Sequence, residues 1–343
     1  MEADLETVAA LPPQRKVRRY LLLLLLLGLA VYFFLPRLAA MEHTLRVVST
    51  LRVPFVLLAL GAQLLSALSN GYLLRSVASQ GRKNVSIVDG ALVITAANSV
   101  GSLGGGVLGT VGMAYLFLRR RGVNPGAAGL GGWLFICLNV SALAVASLAG
   151  LVVLVFLKKS SGLLAAGFTL VGLTLGAGVG ALVWILLHRE KLHAIATAIA
   201  HFLAKVRRKP PDESKIETSI GHLLEGWDAL VQGGWPRPAV GAILCTSFDM
   251  SALGFFFLAA GYPVHPAVLL AGYGVPQLLG KLTVILGGIG VVESTMVGIY
   301  TLLGVPKAAA IVVVLGYRLL SFWLPTLSGI ALVPYLERRG SGG

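Results

Sequence analysis

Long apolar runs bounded by Lys or Arg recur along the whole chain, and insertion in a lipid bilayer is the arrangement that removes them from water. The first, "YLLLLLLLGLAVYFFLP" at 20–36, follows the basic cluster "RKVRR" at 15–19; others cover about 54–74, 127–157, 163–188, 239–260 and 307–333. A stretch of about 20 apolar residues spans the roughly 30 Å hydrocarbon core as a helix, and basic residues collect on its cytoplasmic flank. Composition agrees. Of 343 residues, 56% are hydrophobic and 12% charged, against roughly a quarter charged in an average soluble domain, and the mean hydropathy is +0.85. The chain is an integral membrane protein. Its net charge of +14 comes from bases beside apolar runs, which argues against nucleic acid as a partner.

The basic clusters set the orientation. A tail at 1–19 is cytoplasmic, and 20–36 is a retained first span, since no small-residue cleavage site follows closely. The run at 54–74 returns the chain to Arg75, Arg82 and Lys83. From there to "RRR" at 119–121 the chain is largely apolar, with "NSVGSLGGGVLG" at its centre. A single crossing would leave one basic cluster outside. The expectation is therefore a re-entrant hairpin that enters from the cytoplasm and turns at Gly104, Gly105 and Gly106, with two thin full spans as the alternative. Irregular backbone at that depth is tolerated only where protein or water covers it, which implies a cavity.

Spans at 127–157 and 163–188 follow, joined outside by "KKSSG"; Gly172, Gly176 and Gly180 give the second a smooth face for close helix packing. Residues 189–235 leave the bilayer as two cytoplasmic amphipathic helices, with Leu192, Ile195, Ile199, Phe202 and Val206 on one face of the first. The run at 239–260 then heads outward. A Pro266–Leu303 stretch, broken by Gly272, Gly274, Pro276 and the Gly287–Gly290 cluster, counts as a second hairpin entered from outside. The last span ends in "ERR", a cytoplasmic flank.

The fold class is an all-α polytopic membrane protein, with about six spanning helices and two re-entrant helical hairpins. Residues 20–343 form one membrane domain in the cytoplasmic (inner) membrane, with both termini cytoplasmic. A shift of 182 residues lays Gly105–Gly106 on Gly287–Gly288 and Gly122–Val123 on Gly304–Val305. The same shift lays span 54–74 on 239–260 and span 127–157 on the last. Repeat one covers about 54–157 and repeat two about 239–336, with opposite orientations. Inverted repeats with broken helices are a recurrent transporter plan, in which an ionic substrate sits near the midplane.

Ionisable groups at depth are the candidate site. Glu293 lies in "LGGIGVVESTMVGIY" as the one formal charge between Lys281 and Lys307; unpaired in lipid it would cost about 2.5 kcal/mol or more. Asp249 and Arg318 fall about 16 Å into their spans, close to the midplane. An Arg and one or two carboxylates at one depth neutralise each other, either as a purely structural pair or as a functional site. Lys281, Gln277, Tyr317, Asn98 and Asn139 are candidates to complete a polar cavity. Arg and Lys facing a cavity suit a phosphate head group, Arg as a bidentate fork and Lys as a point charge.

"GGIGVVE" at 287–293 followed by "YRLLSFWLPTLSG" at 317–329 resembles the membrane domain of the lysylphosphatidylglycerol synthetase flippase family. The match runs through Gly287, Gly288, Gly290, Glu293, Arg318, Trp323, Leu324 and Pro325. Leu286 stands where the family pattern has proline, and "SLGGGVLGT" lacks the family's charged first-half motif, although Asn98 fits its asparagine. The resemblance implies a lipid-handling membrane protein. In two-domain relatives the membrane part is linked to lipid translocation and a soluble domain makes the aminoacyl lipid; with no such domain before Gly343, synthase activity is not expected.

Three functions are weighed. The first is a flippase or transporter for an anionic lipid or polyprenyl-linked precursor. The second is an accessory subunit that holds a soluble lipid or glycan synthase through 189–235. The third is an intramembrane enzyme, for which no Ser–His pair, second intramembrane aspartate, His-Glu-x-x-His or dinucleotide fingerprint is found. Cys137 and Cys245 sit in apolar runs as small hydrophobes. No catalytic residue, cofactor or metal is assigned.

Overall fold

The computed structural model describes residues 49–78, 85–102, 106–123, 125–156, 197, 234–282 and 288–340. The expectations for 1–36, for 163–188 and for nearly all of 189–235 lie outside the described residues, as do Gly104, Gly105 and Gly287. All regular structure described is helical. In chain order it comprises α1 (Val53–Ala78), α2 (Ile87–Val100), α3 (Gly106–Arg120), α4 (Pro125–Phe156), α5 (Pro236–Ala259), α6 (Pro266–Leu282), α7 (Val291–Leu302), α8 (Lys307–Arg318), a π-helical turn (Leu319–Trp323) and α9 (Leu324–Gly340).

Four of these units are long and apolar enough to cross a bilayer: α1, Gly131–Val153 within α4, α5, and the continuous Lys307–Val333 of α8, the π turn and α9. They coincide closely with the runs read from hydropathy. Between them lie two pairs of shorter helices. At 1.5 Å per residue, α2 and α3 are each about 21–23 Å long, α6 about 25 Å and α7 about 18 Å, all below a 30 Å core. Gly106, which opens α3, has φ +54°, and Gly288 and Gly290, just before α7, have φ +68° and +82°.

α6 corrects one expectation. It runs unbroken through Gly272, Gly274 and Pro276 to Leu282, so none of those three residues interrupts it. Gly272 and Gly274 serve contact instead of turning: a side chain at Gly272 would strike the Tyr300 ring, and one at Gly274 would strike Ser147 of α4. A proline inside a helix is accepted where neighbouring helices surround the freed carbonyl, and Pro276 is buried.

The register of contacts fixes the relative directions. α1 and α5 lie antiparallel over their whole length. Arg52 N–H donates to the Ala259 carbonyl (3.0 Å), Ser66 Oγ donates to the Cys245 carbonyl (3.1 Å), and a Cβ on Gly241 would sit 2.9 Å from Leu73 Cβ. α4 runs antiparallel to α6, Ser147 against Gly274 and Gly150 against Ala271. α2 runs antiparallel to α9, with Ser99 against Gly329 and Ser99 Oγ donating to the Pro325 carbonyl (3.3 Å). Each short-helix pair therefore leans on the last helix of the other half. α2 starts where α1 ends, with Gly71 closely packed on Ile87 and Ala91. α4 also starts beside the end of α1, Gly131 facing Leu74 and Val77. It follows that α2 and α6 travel in opposite directions.

Two buried clusters hold these contacts. One joins α4 to α5, α6, α7 and α8 through residues such as Leu253, Phe257, Met296, Tyr300 and Val313; the other joins α1, α2, α3 and α9 through Leu73, Val93, Ile94, Leu118 and Val333. Leu57, Leu64, Leu65 and Leu68 of α1 and Ile243 of α5 point outward, as lipid-facing side chains do. Arg75, Arg119, Arg120, Arg121 and Arg237 fall at one end of the bundle, with Arg52 at the other beside Ala259; at the first end Arg121 Nη1 meets Asp89 Oδ2 at 3.5 Å and ties the end of α3 to the start of α2.

Candidate functional site

The carboxylate of Glu293 is explained by the turn that precedes it. The positive φ of Gly288 and Gly290 folds the chain back onto α6, and a Cβ on Gly288 would lie 2.8 Å from Gly280 Cα. α7 then begins at Val291, placing Glu293 in its first turn, where the unpaired N–H groups and the helix dipole favour negative charge. Glu293 Oε2 accepts from the Gly290 N–H at 2.7 Å, and Oε1 accepts from Arg318 Nε at 2.6 Å. The residues are 8% and 4% exposed. A nearly sealed ion pair thus joins the tip of the second helix pair to the last transmembrane unit.

Two contacts hold the Arg318 guanidinium, the Glu293 carboxylate and the Phe322 ring, and one nitrogen is left unpaired. The guanidinium lies 4.2 Å from the centroid of the Phe322 ring, a cation–π contact. Its Nη2 is buried and has no hydrogen-bond partner among the described residues. The turn that follows widens to π geometry, with the Leu324 N–H bonding to the Leu319 carbonyl. Pro325 accounts for it. A proline ring clashes with the carbonyl four residues earlier and offers no N–H to it, and a wider turn absorbs both problems. Trp323 lies in this turn with its ring edge-on to Phe322, centroids 5.3 Å apart.

A second polar cluster is centred on Asp249. Its Oδ1 accepts from Gln63 Nε2 at 2.5 Å; its Oδ2 accepts from the hydroxyls of Tyr273 at 2.6 Å and Tyr317 at 2.8 Å. Gln277 Nε2 donates to Tyr317 OH at 2.8 Å. Four helices, α1, α5, α6 and α8, meet at this one carboxylate.

Of the one or two carboxylates expected to neutralise Arg318, one does so. Arg318 pairs with Glu293, while Asp249 is held by neutral donors. Tyr317 and Arg318 are consecutive on α8, so their side chains leave the helix about 100° apart and serve different carboxylates. Lys281 is exposed, in the last turn of α6, and lies within electrostatic reach of Asp249. Asn98 is exposed on α2, next to the Ser99 that touches Pro325, and joins neither cluster. Asn139 bonds the Phe135 carbonyl of its own helix (3.0 Å). Gln63 and Tyr273 were not anticipated from sequence. A glutamine inside an otherwise apolar run was the available signal for the first; nothing marked the second.

These features define a multi-pass helical membrane protein with hydrogen-bonded charges near mid-depth. Residues 21–329 match the family described as Lysylphosphatidylglycerol synthase TM region, and the chain belongs to that family. Among curated proteins it is similar to a UPF0104 membrane protein of Methanocaldococcus jannaschii, 25% identical over 167 residues, 46% of this chain and 48% of the relative. It is also similar to a UPF0104 membrane protein of Pyrococcus horikoshii, 29% identical over 144 residues, 38% of this chain and 43% of the relative. The chain thus matches just under half the length of each of these relatives.

Gly290 separates backbone strain from crowding, because its φ is +82° yet a Cβ there meets nothing within 4 Å. Gly290→Ala is expected to destabilise the protein by about 1–3 kcal/mol through strain alone. Gly298→Ala, in right-handed α7 with equally open space, is expected to hold or raise stability, by up to about 1 kcal/mol. Unfolding in mild detergent checks the contrast.

Proposed function

We propose that the protein is a transporter that moves an anionic, phosphate-bearing lipid or polyprenyl-linked precursor across the cytoplasmic membrane without altering it chemically. The observation that carries this reading is the buried Nη2 of Arg318, unpartnered beside a guanidinium already bonded to Glu293. A planar guanidinium with one edge free has capacity for a phosphate oxygen. A head group arriving there competes with Glu293 for the same cation, so binding the lipid and loosening the hairpin tip become one event. When the lipid leaves, Glu293 recovers Arg318.

The antiparallel travel of α2 and α6, with the short lengths of both pairs, supports two re-entrant hairpins that enter from opposite faces. The reciprocal contacts of each hairpin with the last helix of the other half support an inverted repeat. Basic residues favour the cytoplasmic side, so the end carrying Arg75, Arg119–Arg121 and Arg237 is assigned there, with the C-terminus. In such a plan, lipid-handling groups near the midplane are reached alternately from each side as one repeat rocks against the other.

Topology is checked with single cysteines at Asn84 and Asn124, and at Val264 and Gly304, in a background lacking Cys137 and Cys245. Impermeant thiol reagents should label the first pair only from inside and the second only from outside. Labelling of the two ends of either hairpin from opposite faces contradicts the re-entrant assignment.

Transport is checked in proteoliposomes with fluorescent phosphatidylglycerol, alongside thermal stability. Arg318→Gln should abolish movement of the lipid and also lower stability, because Glu293 loses its cation. Glu293→Gln should fold more nearly as wild type and still turn over slowly, since the charge that displaces the lipid is gone. If both variants remain folded and transport like wild type, the pair has a structural role only.

A further inference from the structure

We infer that the tip of the second hairpin is a two-point anion site, Arg318 and Ser321 taking one phosphate and Lys281 a second, and that the cargo is a lipid diphosphate. This rests on the transport reading above and narrows its substrate. Three polar groups at the tip lack partners among the described residues. Arg318 Nη2 and Ser321 Oγ are buried and make no hydrogen bond. Lys281 is exposed and takes part in no ion pair or hydrogen bond.

Chain direction brings the three together. α7 returns along α6: a Cβ on Gly280 would strike Val292 at the start of α7, and one on Gly272 would strike the Tyr300 ring near its end. α8 reverses again, since Arg318 at its end pairs with Glu293 at the start of α7. α6 and α8 therefore run the same way, and Gln277 Nε2 on Tyr317 OH ties them together at 2.8 Å. Four residues further along each helix, on the same face, stand Lys281 and Ser321. Ser321 lies beside the Tyr317 hydroxyl. The Lys281 ammonium is within electrostatic reach of Asp249 and Cys245, as expected on the face of α6 that carries Tyr273 and Gln277. Lys281 also follows Gly280, which packs on Val292, the residue before Glu293.

The charges say what such a site takes. Glu293 already cancels Arg318, whereas Lys281 is a cation without an adjacent counter-ion. A single phosphodiester that displaces Glu293 from Arg318 leaves Lys281 unmatched. A diphosphate meets both cations with two adjacent phosphoryl groups. Arg318 Nη2 and the Ser321 hydroxyl donate to one group, and the Lys281 ammonium, a point charge on a flexible stem, follows the other. Two carboxylates oppose an anion here. Glu293 gives way to it, and the charge of Asp249 is already held by Gln63, Tyr273 and Tyr317. An aminoacylated head group brings a cation toward Lys281 and is disfavoured by repulsion.

The direct measurement is calorimetric titration of the full chain in mild detergent with farnesyl diphosphate, farnesyl monophosphate and inorganic diphosphate. Wild type should bind farnesyl diphosphate about tenfold or more tighter than the monophosphate, the worth of one added charged contact. Lys281→Gln should erase that preference, and Lys281→Arg should restore it. Glu293→Gln should tighten both lipids by freeing Arg318, which a purely structural pair would not do. Arg318→Gln should weaken both; where it fails to fold, Ser321→Ala, a smaller loss for both lipids, takes its place. Inorganic diphosphate should bind more weakly than its farnesyl ester. The inference is overturned if wild type shows no diphosphate preference, or if Lys281→Gln keeps it. It is equally overturned if inorganic diphosphate binds as tightly as the lipid, which would mark a site for a soluble ligand. Movement of fluorescent phosphatidylglycerol in proteoliposomes separates the two readings. Lipid movement without a diphosphate preference defeats this inference alone. The expected binding pattern in a protein that moves no lipid keeps the diphosphate site and defeats the transport reading instead.

Discussion

The Glu293–Arg318 bond is the contact on which the second half of the molecule depends. Removing both ions from water costs several kcal/mol each in round terms, and the bond is tolerable only because every nearby feature serves it. The Gly288–Gly290 turn presents the N-terminus of α7, the Gly290 N–H takes the second carboxylate oxygen, and the Phe322 ring covers the guanidinium. The apolar stretch around Glu293 is therefore not an unfavourable place for a charge. It is the insulating wall of an ion pair, and the glycines are there because no other residue lets the backbone turn sharply enough to reach Arg318.

Close antiparallel crossings supply the rest of the architecture. Water does not drive helices together inside a bilayer, so packing and hydrogen bonds must. The α1–α5 pair shows both: Leu73 seated on Gly241 at one end, Ser66 bonded to the Cys245 carbonyl in the middle, and Gln63 bonded to Asp249 beyond it. The same device recurs where Ser147 meets Gly274 and where Ser99 meets Gly329. Pairing a serine with a glycine on the facing helix lets two backbones approach while the hydroxyl satisfies its own helix, as Ser147 does with Leu143 and Ser99 with Thr95. Polar groups near mid-depth are then held in a frame stiff enough to keep them paired.

Much of this was legible in the sequence, within definite physical limits. Hydropathy marked the long helices to within a few residues, since the bilayer dictates their length; the last unit spans Lys307–Val333 in both readings. Glycines of both clusters stand at helix starts, Gly106 opening α3 and Gly288 and Gly290 preceding α7. Depth along a helix was also readable, and it placed Glu293, Arg318 and Asp249 near one level. Direction around the helix axis was not. That is why the sequence left open whether one or two carboxylates pair with Arg318, and why Asn98 and Asn139 were expected in a cavity they do not join. Pro276 was read as a break because a proline's effect depends on what surrounds the freed carbonyl. The π turn before Pro325 is the opposite case, a proline whose cost is absorbed by widening the helix next to the buried Arg318. Gln63 reaches Asp249 across 186 residues of chain, and a single sequence carries no signal for that pairing.

The central claim, that Glu293 and Arg318 act as one coupled unit holding the hairpin tip to the last transmembrane unit, is tested most directly by a double-mutant cycle on unfolding free energy in mild detergent. Glu293→Gln, Arg318→Gln and the double variant are compared with wild type. The account predicts that the double variant loses less stability than the two single variants summed, by about 1–3 kcal/mol, because removing the second charge relieves the first of being buried alone. Additive single effects would contradict it, and would mean that the two side chains are neighbours without being partners.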